Sequence, residues 1–272
     1  MLGAISGDII GSVYEINNIK SKDFIFFDGG VRFTDDTVMT CAVANACLNY
    51  LQHKDIITFK KDLIREMQKL GQSHLNAGYG GTFIYWLFNP SPYGSYGNGS
   101  AMRVSPVGWV AESIDEVLTL AKASAEISHN HVEGIKGAQA VAAAIFYLRL
   151  GKSKEEVKKY IIDNFYNIDF TIPEIRDTYQ FDVSCQGSVP QALEAFFESD
   201  SFEDTIRNAI SIGGDSDTID AIAGSLAEAF YGIPKDIETK SISYLDDELL
   251  EIVQKFRNIV NIENSIDRYS IK

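Results

Sequence analysis

Asp215, Asp217 and Asp220 crowd together with the hydroxyls of Ser216 and Thr218 in the stretch Gly213-Gly214-Asp215-Ser216-Asp217-Thr218-Ile219-Asp220. Far earlier in the chain Thr34-Asp35-Asp36-Thr37 repeats the same grammar, and both stretches run directly into apolar sequence. Either could be a helix start, because a Thr or Asp oxygen there accepts a free backbone N–H and negative charge suits the helix dipole. A cap needs one oxygen, however, and each cluster offers two carboxylates and a hydroxyl. Like charges this close repel by something like 1 kcal/mol or more unless a cation intervenes.

The donor types narrow that cation. All are hard oxygens, and His53, His74, His129 and His131 lie outside both clusters. Carboxylates and hydroxyls suit Mg²⁺, Mn²⁺ or Ca²⁺ rather than structural zinc. The helix-loop-helix Ca²⁺ loop needs a further Gly and a closing Glu, which Asp215-Ser216-Asp217-Thr218-Ile219 lacks. Two facing clusters could hold a pair of ions about 3.5 to 4 Å apart, an arrangement used for hydrolysis.

Helices must position these groups. Met39, Val43, Ala46, Cys47 and Tyr50 form an apolar stripe at helical spacing, as do Phe59, Leu63, Met67 and Leu70. The pattern recurs in Ile114, Val117, Leu118, Ala121 and Ala125, in Ile219, Ile222, Ala223, Leu226 and Phe230, and in Leu249, Ile252, Val253, Phe256 and Val260. The best strand signal is Asp23 to Phe27, stopped by Asp28-Gly29-Gly30. The expected fold is all-α, a compact multi-helix bundle of about ten or more helices with little or no strand. Gly134, Gly137, Ala138, Ala140 and Ala142 to Ala144 let helix axes approach, so that segment belongs near the centre. Residues 71–100, dense in Gly, Asn, Ser, Pro and Tyr, read as a long loop and a candidate binding wall, and residues 168–190 read as a second irregular stretch.

With 272 residues, 45% of them hydrophobic, and no linker-like composition, the chain reads as one domain over 1–272. A net charge of -14 repels polyanions and argues against general nucleic-acid binding or anionic-membrane docking. No apolar run approaches the roughly 18 residues of a membrane span, and the apolar opening carries Asp8 and Glu15 without a basic start. Cys41, Cys47 and Cys185 lack metal-ligand spacing and read as buried thiols, so a cytoplasmic protein is expected.

The motifs GAISGDIIGSVYE (3–15), FTDDTVMT (33–40), GSYGNGSAMRVSPVGW (94–109), SHNHVEGIKGAQAVAAAIF (128–146) and GGDSDTIDAIAGSLAEAFYG (213–232) resemble, in order, those of the ADP-ribosylglycohydrolases. The resemblance implies an all-α bundle with a binuclear Mg²⁺ or Mn²⁺ centre at the base of a cleft. It assigns Thr34, Asp35 and Asp36, with Asp215, Asp217 and Thr218, as ligands, and Glu15 as a catalytic glutamate. It places Gly94, Ser95, Tyr96, Gly97 and Asn98 at the diphosphate and neighbouring riboses, and His129 at the substrate pocket; Gly80 and Gly81 are further candidates for close backbone approach. Ser216 stands where the family often has Thr, and residues 150–190 match poorly.

The implied reaction cleaves the bond at the anomeric carbon of the distal ribose in an ADP-ribosylated protein or small-molecule conjugate. Its oxocarbenium-like transition state suits a carboxylate-rich site, with Asp35, Asp36 and Asp215 open as the base and Glu15 as base or acid. Gly-rich turns can serve the diphosphate through backbone N–H groups. Two other readings use the same residues: a non-catalytic metal- or nucleotide-binding member, and a metal-dependent phosphohydrolase. Asp8 reads as a helix-start or supporting residue, and His131 as a solvated or hydrogen-bonded one rather than a catalytic one.

Overall fold

The computed structural model describes residues 1–270, with side chains described through residue 260. Its helices are α1 (Leu2–Gly11), α2 (Asp35–His53), α3 (Ile56–Ser73), α4 (Gly81–Phe88), α5 (Gly99–Met102), α6 (Ser105–Val110), α7 (Ile114–Glu126) and α8 (Val132–Arg149). They continue as α9 (Lys154–Asn164), α10 (Ile172–Ile175), α11 (Cys185–Phe197), α12 (Phe202–Ser211), α13 (Ser216–Tyr231), α14 (Lys235–Ile242) and α15 (Asp247–Ser270). No named strand occurs among the described residues; a single bridge joins Gly97 and Ser184. The all-α bundle expected from the apolar stripes is the architecture observed. No helix among the described residues is long and apolar enough to cross a membrane.

The stripes of α2, α3, α7 and α15 face one continuous core. On α13 the stripe is buried until Phe230, which is 40% exposed near the helix end. The small-residue face of α8 packs against α5, α6, α7, α11 and α13, the central position its composition predicts. Cys41, Cys47 and Cys185 are buried and unpaired.

Helices α1 and α13 meet backbone to backbone. Gly3, Gly7 and Gly11 lie four residues apart on one face of α1 and meet the α13 backbone. A Cβ at Gly3 would sit 2.2 Å from the Gly224 carbonyl oxygen, and one at Gly7 would sit 2.1 Å from that of Asp220. Only hydrogen at those positions lets the helices touch.

Three local expectations are corrected. Asp23 to Phe27 forms no strand because no neighbour pairs with it; Arg207 instead stacks over Phe24 and Phe26 and donates to the Lys22 and Phe24 carbonyls. Residues 71–100 contain α4, whose apolar Phe83, Trp86 and Leu87 are buried, so apolar packing overrides the flanking turn residues. Residues 168–190 contain α10 and the start of α11, with Pro190 inside the helix.

Candidate active site

Two helix starts are brought together by α1. Thr34 adopts an extended backbone and N-caps α2, its Oγ1 accepting the Asp36 N–H at 3.3 Å. Asp8, fully buried on α1, completes that helix start. Its carboxylate accepts from the Thr34 N–H at 2.9 Å and Thr34 Oγ1 at 2.6 Å, from the Thr37 N–H at 3.1 Å, and from Thr37 Oγ1. Capping is therefore done by Thr34 and Asp8, which leaves Asp35 and Asp36 free of that duty. Asp36 Oδ1 is buried with no hydrogen-bond partner.

At the second helix start, Gly213 and Gly214 take positive φ, and Asp215 occupies the N-cap of α13 without a side-chain cap bond. Its Oδ2 instead accepts from Asn98 Nδ2 at 2.6 Å, an amide that also donates to Ser188 Oγ. Asp217 is buried beside it, and Thr218 Oγ1 donates to Asp36 Oδ2 at 3.2 Å. The two acidic clusters thus share one site.

Carboxylate oxygens gather there in two overlapping groups, Asp8 with Asp36 and Asp217, and Glu15 with Asp215 and Asp217, each group within 4.8 Å. Asp217 belongs to both. Asp35 belongs to neither, yet it lines the same cleft. Burial pushes every one of these carboxyls upward, and repulsion from the others adds to it at Glu15, Asp35, Asp36 and Asp217. Asp35 rises to about 7, through desolvation and then the Asp8 charge. Asp36 and Asp217 stand well above the usual carboxylate range for the same first cause. Glu15, half-buried in the turn after α1, is raised by desolvation and by Asp215, and lowered by Arg32. Hard oxygen donors, an orphaned buried Asp36 oxygen and unneutralised carboxylates together fit a divalent cation.

Glu15, Asp35, Asp36, Asp215 and Asp217 line a cleft of about 440 Å³, and Asp8 is not in its lining. Gly78, Gly80, Gly81 and Phe83 line it together with Ser95, Gly97, Asn98, Gly99 and His129, and the Phe83 and His129 ring centroids lie 6.4 Å apart. A Cβ at Gly80 or Gly81 would meet nothing within 4 Å, so these glycines open space into the cleft and no protein group presses on them. The Asn98 N–H donates to the Val183 carbonyl at 2.7 Å and the Cys185 N–H to that of Tyr96 at 2.9 Å, stitching the second irregular stretch to this wall. Phe181 and Val183 consequently line the cleft.

Of the residues singled out from sequence, Glu15, Thr34, Asp35, Asp36, Gly80, Gly81, Ser95, Gly97, Asn98, His129, Asp215, Asp217 and Thr218 line this one cleft. Gly94 and Tyr96 do not; Tyr96 is 52% exposed and meets His131 edge-on, with ring centroids 5.4 Å apart. His131 caps α8, its Nδ1 accepting the Glu133 N–H. Sequence reasoning missed Asp8 as a member of the acidic group, and it missed Arg103 and Phe83 in the wall. Only Asp8 carried a signal in the sequence, as the acid inside the opening motif beside Gly7.

The sequence profile described as ADP-ribosylglycohydrolase matches residues 1–264. The chain is 26% identical to the ADP-ribosylhydrolase ARH3 of Xenopus tropicalis, covering 91% of each chain. It is 25% identical to the ADP-ribosylarginine hydrolase Tri1 of Pseudomonas putida, covering 86% of this chain and 70% of that one. A solved structure titled "ADP-ribosylglycohydrolase-related protein complex" shares the fold, with a TM-score of 0.63 at 21% identity over 95% of each chain. The profile match runs through both acidic helix starts and the glycine wall, and the chain belongs to the ADP-ribosylglycohydrolase family.

Proposed function

We propose that this protein is a metal-dependent hydrolase that releases ADP-ribose from an ADP-ribosylated protein or small-molecule conjugate by cleaving the bond at the anomeric carbon of the distal ribose. The observation that carries the reading is Asp36 Oδ1, buried without a partner among carboxylates that share Asp217. Family membership supports the reaction class, and the cleft above that floor has the volume of a small-molecule site.

Thr34, Asp35, Asp36, Asp215, Asp217 and Thr218 would hold two Mg²⁺ or Mn²⁺ ions, with Asp8 and Glu15 alongside. When bound, such ions neutralise the carboxylates and raise the acidity of a water. Asp36 and Asp215 are kept in register by Thr218 and Asn98, so the floor is preorganised before substrate arrives. Positive charge spread over the ribose ring in the transition state meets this anionic floor. Glu15, a cleft-lining carboxyl that feels the Arg32 charge, takes the water's proton or delivers one to the leaving group. Asp35, Asp36 and Asp215, which line the same cleft, are the other acceptors for that proton. Backbone N–H groups at Gly80, Gly81 and Ser95 bind the diphosphate without basic side chains, while Gly97 and Asn98, whose N–H groups are held by Ser95 Oγ and the Val183 carbonyl, shape the wall beside it, and Gly94 and Tyr96 act on the substrate only if it extends beyond the cleft.

The deciding experiment incubates the protein and its Asp217→Asn variant with Mg²⁺ or Mn²⁺ and ADP-ribosylated arginine, serine and O-acetyl substrates. Free ADP-ribose is expected from the parent protein and little from the variant. Inorganic phosphate or AMP would move the reading to phosphoryl chemistry, and no turnover of any substrate would leave a binding protein.

A further inference from the structure

Arg103 lies in the cleft wall at 1% exposure. Burial lowers its guanidinium to about 10; the groups that act the other way are Tyr93 and Cys185, and no carboxylate is among them. Its Nη2 donates to the Ser124 carbonyl at 3.0 Å and to Ser128 Oγ at 2.9 Å, and the guanidinium lies 5.8 Å from the Phe83 ring centre. Ser128 Oγ is in turn 2.8 Å from His129 Nδ1.

The directions of these bonds are fixed by what each group can do. A guanidinium only donates, so Ser128 Oγ accepts from Arg103 and has one proton of its own to place. Ser128 is fully buried, and the acceptor in reach of that proton is His129 Nδ1. The imidazole is neutral, held so by burial and by the Arg103 charge. Its hydrogen must then sit on Nε2. That atom faces the glycine wall: a Cβ at Gly99 would lie 3.1 Å from Nε2 and one at Gly97 would lie 3.6 Å from it. The two glycines leave Nε2 open to the cleft that all three residues line.

We propose that Arg103 and Ser128 are positioning residues that lock His129 as its Nε2–H tautomer, so that the wall presents a fixed hydrogen-bond donor to an oxygen of the bound ligand. The ligand's identity as an ADP-ribose conjugate rests on the function proposed above; the tautomer does not. A locked donor suits a phosphate or hydroxyl oxygen and turns away a ligand group that is itself only a donor.

Two-bond ¹H–¹⁵N spectra of the histidine rings in the ligand-free protein, with His129 assigned through a His129→Gln variant, read the tautomer directly. A neutral Nε2–H pattern for His129 from pH 6 to 8 is expected; an Nδ1–H pattern or an imidazolium overturns the proposal. Ser128→Ala removes the relay with little change in volume. It is expected to mix the two tautomers and to weaken ADP-ribose binding by about 3- to 10-fold, the effect of one positioned hydrogen bond, with Mg²⁺ affinity unchanged. An unaltered His129 pattern in Ser128→Ala overturns the relay. Failure of the parent protein to bind ADP-ribose would sink the functional reading, while the tautomer measurement would still decide the relay.

Discussion

Thr218 Oγ1 donates to Asp36 Oδ2 across 3.2 Å, joining the first turn of α13 to the first turn of α2. This bond makes one site of two distant acidic clusters. It also leaves the other Asp36 oxygen without a partner, so the carboxylate is oriented by one contact and available through the other.

Metal-free protein is expected to lose stability as pH rises. The buried carboxyls have folded pKa values raised above the unfolded value of 3.8, so the folded state binds more protons than the unfolded one. Their contribution is present below about 3.8 and fades as pH climbs through the folded values, about 7 for Asp35. Thermal melts in chelator should show Tm falling between pH 6 and 8. Mg²⁺ or Mn²⁺ should raise Tm more at pH 8 than at pH 6, because binding displaces protons. A pH-independent Tm in chelator would contradict this account of the floor.

Asp8→Asn keeps the shape but loses the charge that four donors from Thr34 and Thr37 converge upon. Metal affinity should drop by roughly 10- to 100-fold, as expected for a group that orients ligands. Calorimetric titration of Mn²⁺ into both proteins checks it, with unchanged affinity as the contrary result.

Glu15→Gln should lower kcat by about 10²- to 10⁴-fold if Glu15 handles the proton, with KM little affected. An equal loss in kcat/KM arising wholly from KM would instead make Glu15 a substrate contact.

Gly7→Ala places a Cβ 2.1 Å from the Asp220 carbonyl oxygen, and backbone cannot swing aside as a flexible side chain can. The variant should lose about 1–3 kcal/mol or more in denaturant unfolding and should also bind metal more weakly, since α1 carries Asp8. Gly80→Ala, where a Cβ meets nothing within 4 Å, is the control and should unfold like the parent protein.

The sequence by itself determined the helical architecture and the site's raw material. The stripes of α2, α3, α7 and α15 needed only a 3.6-residue period to predict their buried faces, and Thr34-Asp35-Asp36 and Asp215-Ser216-Asp217-Thr218 needed only ligand chemistry to suggest a metal. Tertiary structure decided which oxygens cap and which stay free. Asp8 reaches the α2 start from another helix, so no reading of the α2 sequence alone could release Asp36 from capping. Contact between α1 and α13 rests on Gly3, Gly7 and Gly11 meeting backbone, a close approach whose partner no local pattern names. The glycine loop was visible, but its division was not: Gly97 and Asn98 turn into the cleft, whereas Tyr96 packs outward on His131. The His129 tautomer depends on Arg103 and Ser128, which converge only once α5 and the end of α7 are packed together.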